Sequence, residues 1–230
     1  MKVSVVIPVF NEQGYISSCL DSLIKQTVKP DEIIICDNGS TDSSVKIIKS
    51  YQQLLPIKIV TEKHKGICYA MEKAWRSSSG DLILRTDADC ILPDNWVDKF
   101  ISFYLRDPKL SACGGGFRAS DGSLFIRLIT PLAVTIDHCS LHLFQGSRFL
   151  FAANFSIKRS VLEKINGYKS SQKIPDDLLI SRKLKQYGYK YRYFPFFTIY
   201  TSTRRFNNLR SLFFGILSTL NPKFYFEKSK

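Results

Sequence analysis

The stretch Val3-Ser4-Val5-Val6-Ile7-Pro8-Val9-Phe10-Asn11-Glu12 decides the fold. Val3–Val9 is apolar nearly throughout, rich in β-branched residues and without polar alternation. That is the pattern of a strand buried on both faces, as in a parallel sheet covered by helices. The polar turn Asn11-Glu12-Gln13-Gly14 follows, after which Ile16, Cys19, Leu20, Leu23 and Ile24 recur at helical spacing.

The same unit returns further along. Glu32–Asp37 is a second apolar strand; it ends in Asn38-Gly39-Ser40-Thr41-Asp42 and leads into a helix carrying Val45, Ile47 and Ile48. Ile57–Thr61 is a third strand, and a helix over 68–77 follows the Lys65-Gly66 turn. A fourth strand over 81–85 stops at Thr86-Asp87-Ala88-Asp89. Alternation of this kind implies crossover connections and an α/β fold with a mostly parallel central sheet flanked by helices. Ligands of such sheets bind at the carboxyl ends of the strands. Asn11-Glu12, Asp37-Asn38 and Asp87-Ala88-Asp89 all fall there.

The second half is less regular. Residues 110–113 read as a strand running into Gly114-Gly115-Gly116, where backbone can approach a ligand closely. Residues 124–143 read as an apolar helix interrupted by Pro131, and 149–157 as a strand. A short helix over 159–165 ends near Asn166-Gly167, a helix over 176–187 stops at Gly188, and the aromatic run 191–200 is extended.

A chain of 230 residues suits one domain with an extension. We divide it into a domain over 1–205, with halves of about 1–115 and about 116–205, and an amphipathic extension over 206–230. With 44% hydrophobic and 23% charged residues the composition is that of a globular protein, and no internal repeat is visible. The net charge of +13 favours anionic partners: nucleotides, phospholipid surfaces or nucleic acid. Six cysteines without a C-x-x-C pair lie mostly in apolar stretches, which argues against a disulfide framework and for a reducing, cytoplasmic setting. The N-terminal apolar run is short, contains Pro8 and lacks a small-residue cleavage site, unlike a signal peptide. No stretch reaches the roughly 18 uncharged apolar residues of a membrane span; Arg127, Asp137 and Arg210 interrupt the longest ones.

Several segments together resemble the family-2 glycosyltransferases of the GT-A fold. Ser4 to Glu12 is similar to the family's opening strand, and Asp37-Asn38-Gly39-Ser40-Thr41-Asp42 to its D-D-G-S-T-D motif. Asp87-Ala88-Asp89 resembles its D-x-D metal motif. Asn154 to Arg159, with Asn166-Gly167-Tyr168, resembles the acceptor-side segment. Asp176-Asp177, ahead of a helix ending at Gly188, resembles the E-D motif that carries the catalytic base. The resemblance covers about residues 2–205, in the family's order. Asn38 stands where an acid is usual and Asp176 where Glu is usual, which leaves the donor nucleotide open.

The resemblance implies an inverting transfer of a sugar from a nucleotide-diphosphate donor, UDP- or GDP-linked, to a hydroxyl of a lipid, glycan or small molecule. Asp89 would hold Mn²⁺ or Mg²⁺ directly and Asp87 would contact ribose or metal. Side chains two apart in an extended segment share a face, and carboxylates with diphosphate oxygens and water suit such ions. Asp37 would accept hydrogen bonds from base or ribose, and Asn38 can both donate and accept there. Pro8, Phe10 and Glu12 would line the nucleotide pocket, with Lys65 approaching it, although Phe10 is equally a core residue by composition. Asp42 reads as a helix cap. Asp177 would be the base, with Asp176 beside it raising its pKa. Asn154, Asp176, Arg204 and Arg205 are the candidates for diphosphate or acceptor contact; guanidinium groups bind diphosphate in bidentate fashion.

Other classes fit less well. A nucleotidyltransferase would carry a Gly-rich basic loop after the first strand, and Phe10 to Gly14 is acidic instead. A degenerate nucleotide-binding module sits awkwardly with Asp87, Asp89 and Asp177 all present. The charge fits nucleic acid, but no reading motif accompanies it. His138 and His142 have a zinc-compatible spacing without a third ligand and read as packing residues, and the role of His64, beside Lys65, is open. Residues 209–226 are apolar and aromatic; they suit equally an anionic membrane interface or the domain's own core.

Overall fold

The computed structural model describes residues 1–122, 150–168 and 176–204. The expected helix over 124–143, His138, His142, Cys139, Arg205 and the 206–230 extension lie outside the described residues. So does the first residue of the expected 149–157 strand.

The chain opens with β1 (Val3–Val9), α1 (Ile16–Ile24), β2 (Glu32–Asp37), α2 (Ser44–Ser50), β3 (Ile57–Thr61), α3 (Ile67–Arg76) and β4 (Leu82–Arg85). These are the expected alternating units. A short β5 (Cys90–Ile91), α4 (Trp96–Arg106) and β6 (Ala112–Ala119) follow. A 3-10 turn at Ala152–Asn154 leads into β7 (Phe155–Lys158) and α5 (Arg159–Lys164). The chain continues through α6 (Asp176–Gln186) and β8 (Tyr191–Thr201). All these strands form one sheet in the order β3-β2-β1-β4-β7-β6-β8-β5.

β1 pairs in parallel with β2 and β4, and β2 with β3. Beyond β4 the sheet becomes mixed: β7 runs antiparallel to both β4 and β6, while β6 and β8 are parallel. The parallel half is the part whose strands read as continuous apolar runs. Every residue of β1 is buried, and its two faces feed two cores. Val3, Val5, Ile7 and Val9 pack with Ile16, Leu20 and Leu23 of α1 and with Trp96 and Phe100 of α4. Val6 packs on the other face with Met71 and Trp75 of α3, Leu162 of α5 and Leu184 of α6. The two-residue period of a strand assigns alternate side chains to opposite layers. Pro8 sits where the β1–β4 ladder has already ended at Val6 and Arg85, so its missing N–H is tolerated in a central strand.

The sequence reading passed over α4. Its signal is nonetheless present, because Trp96, Val97, Phe100 and Tyr104 form one buried face at helical spacing. The three glycines of β6 also act differently from the expectation. The close backbone approach they permit is internal, not toward a ligand. A Cβ on Gly115 would lie 1.9 Å from the Phe197 carbonyl oxygen and 2.5 Å from Asn154 Nδ2. Gly115→Ala is therefore expected to destabilise the protein by about 1–3 kcal/mol through overpacking against backbone. Thermal unfolding of the variant checks this, and an unchanged midpoint would show that β8 can yield. Among the described residues Cys19, Cys36, Cys68, Cys90 and Cys113 are buried as free thiols, in keeping with their reading as small hydrophobes.

Candidate active site

The loops that leave β1 and β2 at their carboxyl ends are sewn together by short polar side chains. Asn11 takes a left-handed φ of 55°. Its N–H donates to Ser40 Oγ at 3.0 Å and its Oδ1 accepts from Thr41 N at 2.8 Å. The Glu12 N–H donates to Ser44 Oγ at 2.7 Å, and the Glu12 carbonyl accepts from Tyr15 and Ile16 to start α1. Asp42, expected as a cap, accepts from Ser44 N and Oγ at 2.9 and 2.6 Å just ahead of α2. These bonds hold Phe10 and Glu12 at the sheet edge. Phe10 is 49% exposed, so it is not a core residue; the Lys65 ammonium lies 4.1 Å above its ring.

Asp37 ends β2, buried, with Oδ1 accepting from Ser40 N at 3.0 Å. Asn38 was expected to face the nucleotide, and its side chain is committed elsewhere. Its Nδ2 donates to the carbonyls of Glu62 and His64, at 2.9 and 2.8 Å, and its Oδ1 accepts from Gly66 N at 2.9 Å. An amide has three such bonds within ordinary reach here, so Asn38 ties the β3–α3 loop to β2. Lys65 bonds the carbonyl oxygens of Asn38 and Gly39 across the same junction. Pro8 is buried in β1.

Asp87 to Cys90 form a turn about Ala88 and Asp89, not the extended segment expected, closed by Cys90 N donating to the Asp87 carbonyl at 3.2 Å. The two carboxylates consequently serve different neighbours. Asp87 Oδ1 lies 3.3 Å from Arg85 Nη2, and Asp89 Oδ2 lies 3.2 Å from Arg204 Nη2. Arg204 also meets Glu12 Oε1 at 2.5 Å and stacks over Tyr15 at 4.4 Å. Its position is fixed by Asp121, whose carboxylate accepts from Ser202 Oγ, Thr203 N and Thr203 Oγ1. Thus residues after β1, β4 and β8, far apart in sequence, meet around one guanidinium.

Arg85 is the residue that the sequence reading missed. It ends the apolar strand Leu82-Ile83-Leu84-Arg85 with its side chain only 3% exposed. An arginine at an inward position of such a strand is itself the signal, because a buried charge needs a partner. Here Nη1 pairs with Asp176 Oδ2 of α6 while Nη2 faces Asp87. Asp176 is therefore a buried counter-ion at the start of α6 and not a diphosphate or acceptor contact. Asn154 is corrected likewise. It is fully buried, its Nδ2 donates to the Gly116 and Phe197 carbonyls, and its Oδ1 accepts from Trp96 Nε1 at 2.9 Å. It locks β6, β7, β8 and α4 together.

Asp177 follows Asp176 at the helix start and lines a narrow recess with Arg85, Tyr168, Phe155 and Ile180. Burial pushes its pKa up to about 6, against the lowering effect of the nearby Arg85 charge and the Leu178 N–H, with Asp87 adding to the rise. A carboxylate so tuned is mostly ionised at neutral pH yet basic enough to take a proton. Asp87 and Asp89 offer hard oxygen donors. Among the described residues no three His, Cys, Asp or Glu side chains gather to hold an ion alone. A divalent ion would thus complete its shell from phosphate oxygens and water. The Arg204 guanidinium is a positive group that faces Asp89.

A mixed α/β sheet with its acidic loops at one edge is the GT-A fold of nucleotide-sugar transferases. Residues 4–166 match the family described as glycosyl transferase family 2, and the chain belongs to that family. It is 25% identical to the O-antigen chain rhamnosyltransferase RfbN of Salmonella typhimurium over 207 residues, covering 84% of this chain and 64% of the relative. Among solved structures it superposes on the mannosyltransferase PcManGT of Pyrobaculum calidifontis, in complex with GDP-Man and Mn²⁺. The TM-score is 0.72 at 20% identity, covering 100% of this chain and 65% of that one. The TarS 1–349 structure of S. aureus with UDP-GlcNAc gives a TM-score of 0.69 at 19% identity, covering 96% and 65%. The chain therefore spans just under two thirds of the length of each of these proteins.

Proposed function

We propose that the chain is an inverting glycosyltransferase that moves a sugar from a UDP- or GDP-linked donor to an acceptor hydroxyl. The observation that carries the reading is the meeting of Glu12, Asp89 and Arg204 at one sheet edge, with Arg85 linking Asp87 to the start of the helix that bears Asp177. Family membership supplies the reaction class, and relatives solved with GDP-Man and Mn²⁺ or with UDP-GlcNAc support the donor class.

In this reading the base and ribose lie against Phe10 and Asp37, with Lys65 at the rim. Asp89 and Asp87 would hold Mn²⁺ or Mg²⁺, which when bound supplies positive charge to the leaving diphosphate. Arg204 contributes a second positive group to the diphosphate, and Arg205 follows it in sequence. Asp177 takes the proton from the acceptor hydroxyl as that oxygen bonds to the anomeric carbon. The bond from that carbon to the diphosphate oxygen breaks with its electron pair staying on the leaving group. Asp176, paired to Arg85, holds the start of α6 so that Asp177 is presented correctly.

The acceptor is a glycan, lipid or small-molecule hydroxyl. Among the described residues no helix is long and apolar enough to cross a membrane. The excess of 33 basic over 20 acidic side chains supports a peripheral contact with an anionic membrane face on the cytoplasmic side.

Calorimetric titration with UDP and GDP, with Mn²⁺ and then with a chelator, tests the donor reading. One nucleotide should bind in a metal-dependent way, and Asp89→Ala should weaken that binding about tenfold or more, the scale of one lost charge contact. An Asp89→Ala variant that binds the nucleotide in Mn²⁺ as tightly as the parent, and still loses it to chelator, would remove Asp89 from the metal site.

A further inference from the structure

We infer that Arg204 is a specificity-determining residue: it closes Asp89 to a bare divalent cation and opens it to one that arrives with a diphosphate. The inference rests on the transferase reading for its ligand and goes beyond it in assigning Arg204 a role before the donor binds.

The geometry is that of an occupied cation site. One guanidinium nitrogen, Arg204 Nη2, lies 2.5 Å from Glu12 Oε1 and 3.2 Å from Asp89 Oδ2. The Asp89 side chain is 10% exposed and that of Glu12 12%. Charges this sheltered interact more strongly than surface pairs do. The position is not a chance of a long side chain. Tyr15 stacks beneath the guanidinium, and Ser202 and Thr203, immediately before Arg204, are anchored on Asp121. The Ser202 N–H also donates to the Asp89 carbonyl at 3.2 Å, so the Arg204 segment and the Asp89 turn are joined through backbone.

A divalent ion on the Asp89 carboxylate would face the Arg204 charge at a few ångströms, with no anion between them. Like charges that close in a sheltered site repel strongly. Either the ion stays out or Arg204 leaves a partner. A diphosphate changes the balance, because its oxygens can meet the ion on one side and the guanidinium on the other. Ion and diphosphate then stabilise each other's binding, and by linkage the coupling is equal in both directions. A nucleoside monophosphate has fewer oxygens to span the two cations and should couple more weakly. The arrangement thus favours the leaving group of a sugar nucleotide over a monophosphate.

The test uses the whole chain with Mn²⁺ alone, then with UDP, GDP, UMP and GMP, followed by calorimetry and by the Mn²⁺ paramagnetic resonance signal. The unsubstituted chain should bind Mn²⁺ alone weakly and at least tenfold more tightly with the preferred diphosphate than with its monophosphate. Arg204→Gln should move two affinities in opposite directions: Mn²⁺ alone about tenfold tighter, and the diphosphate in Mn²⁺ about tenfold weaker. Arg204→Lys, which keeps the charge, should leave Mn²⁺ alone weak, and thermal melting verifies that both variants fold. Unchanged or weaker binding of Mn²⁺ alone by Arg204→Gln would overturn the inference, even if the diphosphate affinity falls. Should the unsubstituted chain bind neither UDP nor GDP, the transferase reading fails, while the Mn²⁺-alone comparison still decides whether Arg204 guards Asp89.

Discussion

Asp177→Asn is expected to lower the turnover number by about 10²–10⁴-fold while leaving the affinity for the nucleotide donor unchanged within a factor of about two, the range typical of a lost general base. Asparagine keeps the size and one acceptor oxygen of the carboxylate, so the recess lined by Phe155, Tyr168 and Ile180 stays filled. What it loses is basicity. Since the Asp177 carboxyl sits at about 6, the unsubstituted protein should lose activity below that pH, about tenfold per unit. Turnover of the Asn variant at the parent rate would remove Asp177 from the mechanism.

The same substitution has a stability consequence of opposite sign. In the unfolded chain this carboxyl titrates at its ordinary value of 3.8, and in the folded protein at about 6. Between those values the folded state binds the extra proton, so the group subtracts stability as pH rises through the interval. Near pH 7 the ionised Asp177 is a net cost of on the order of 1–3 kcal/mol. Asp177→Asn should therefore melt higher than the parent at pH 7, by a few degrees, and the gain should vanish near pH 4. Less activity with more stability marks a side chain kept for chemistry.

Arg85→Met is expected to be the most damaging of these substitutions to folding. It strands Asp176, whose side chain is 9% exposed, without its counter-ion. Breaking a buried pair by removing one partner costs about 3–5 kcal/mol, which for a domain of this size lowers the melting temperature by roughly 10 °C or more. Adding Asp176→Leu should recover most of that loss, since apolar replacement of a buried pair is often neutral. Turnover should not return with stability, because the double variant no longer links Asp87 to the start of α6. Chemical denaturation and turnover of the two variants separate these effects. A single variant as stable as the parent would show that Asp176 finds another partner. A double variant with full activity would confine Arg85 to a structural role.

The parallel half of the sheet was legible because its signal is local. The run Val3–Val9 needs only its own residues to announce a strand buried on both faces, and each later unit repeats the signature with a polar turn at its end. Asp87 and Asp89 stood at the end of such a strand, whereas Asp177 was singled out by its resemblance to a family motif. The mixed half was less legible, since β6, β7 and β8 are defined by pairing between distant segments. The glycines of β6 looked suited to a ligand and are filled by Phe197 and Asn154.

The sequence by itself determined the fold class and the edge of the sheet that carries the acidic loops, and it named the carboxylates proposed to do chemistry there. Only the tertiary structure decided how those groups divide the work. It turned Asn38 and Asn154 inward, because each amide found three backbone or ring partners within reach. It made Asp176 the counter-ion of Arg85, and brought Arg204 to Asp89 and, across 192 residues of chain, to Glu12. Strand and helix periodicity is written in neighbouring residues, whereas the partner of a buried charge is set by whichever opposite charge the folded chain delivers to it.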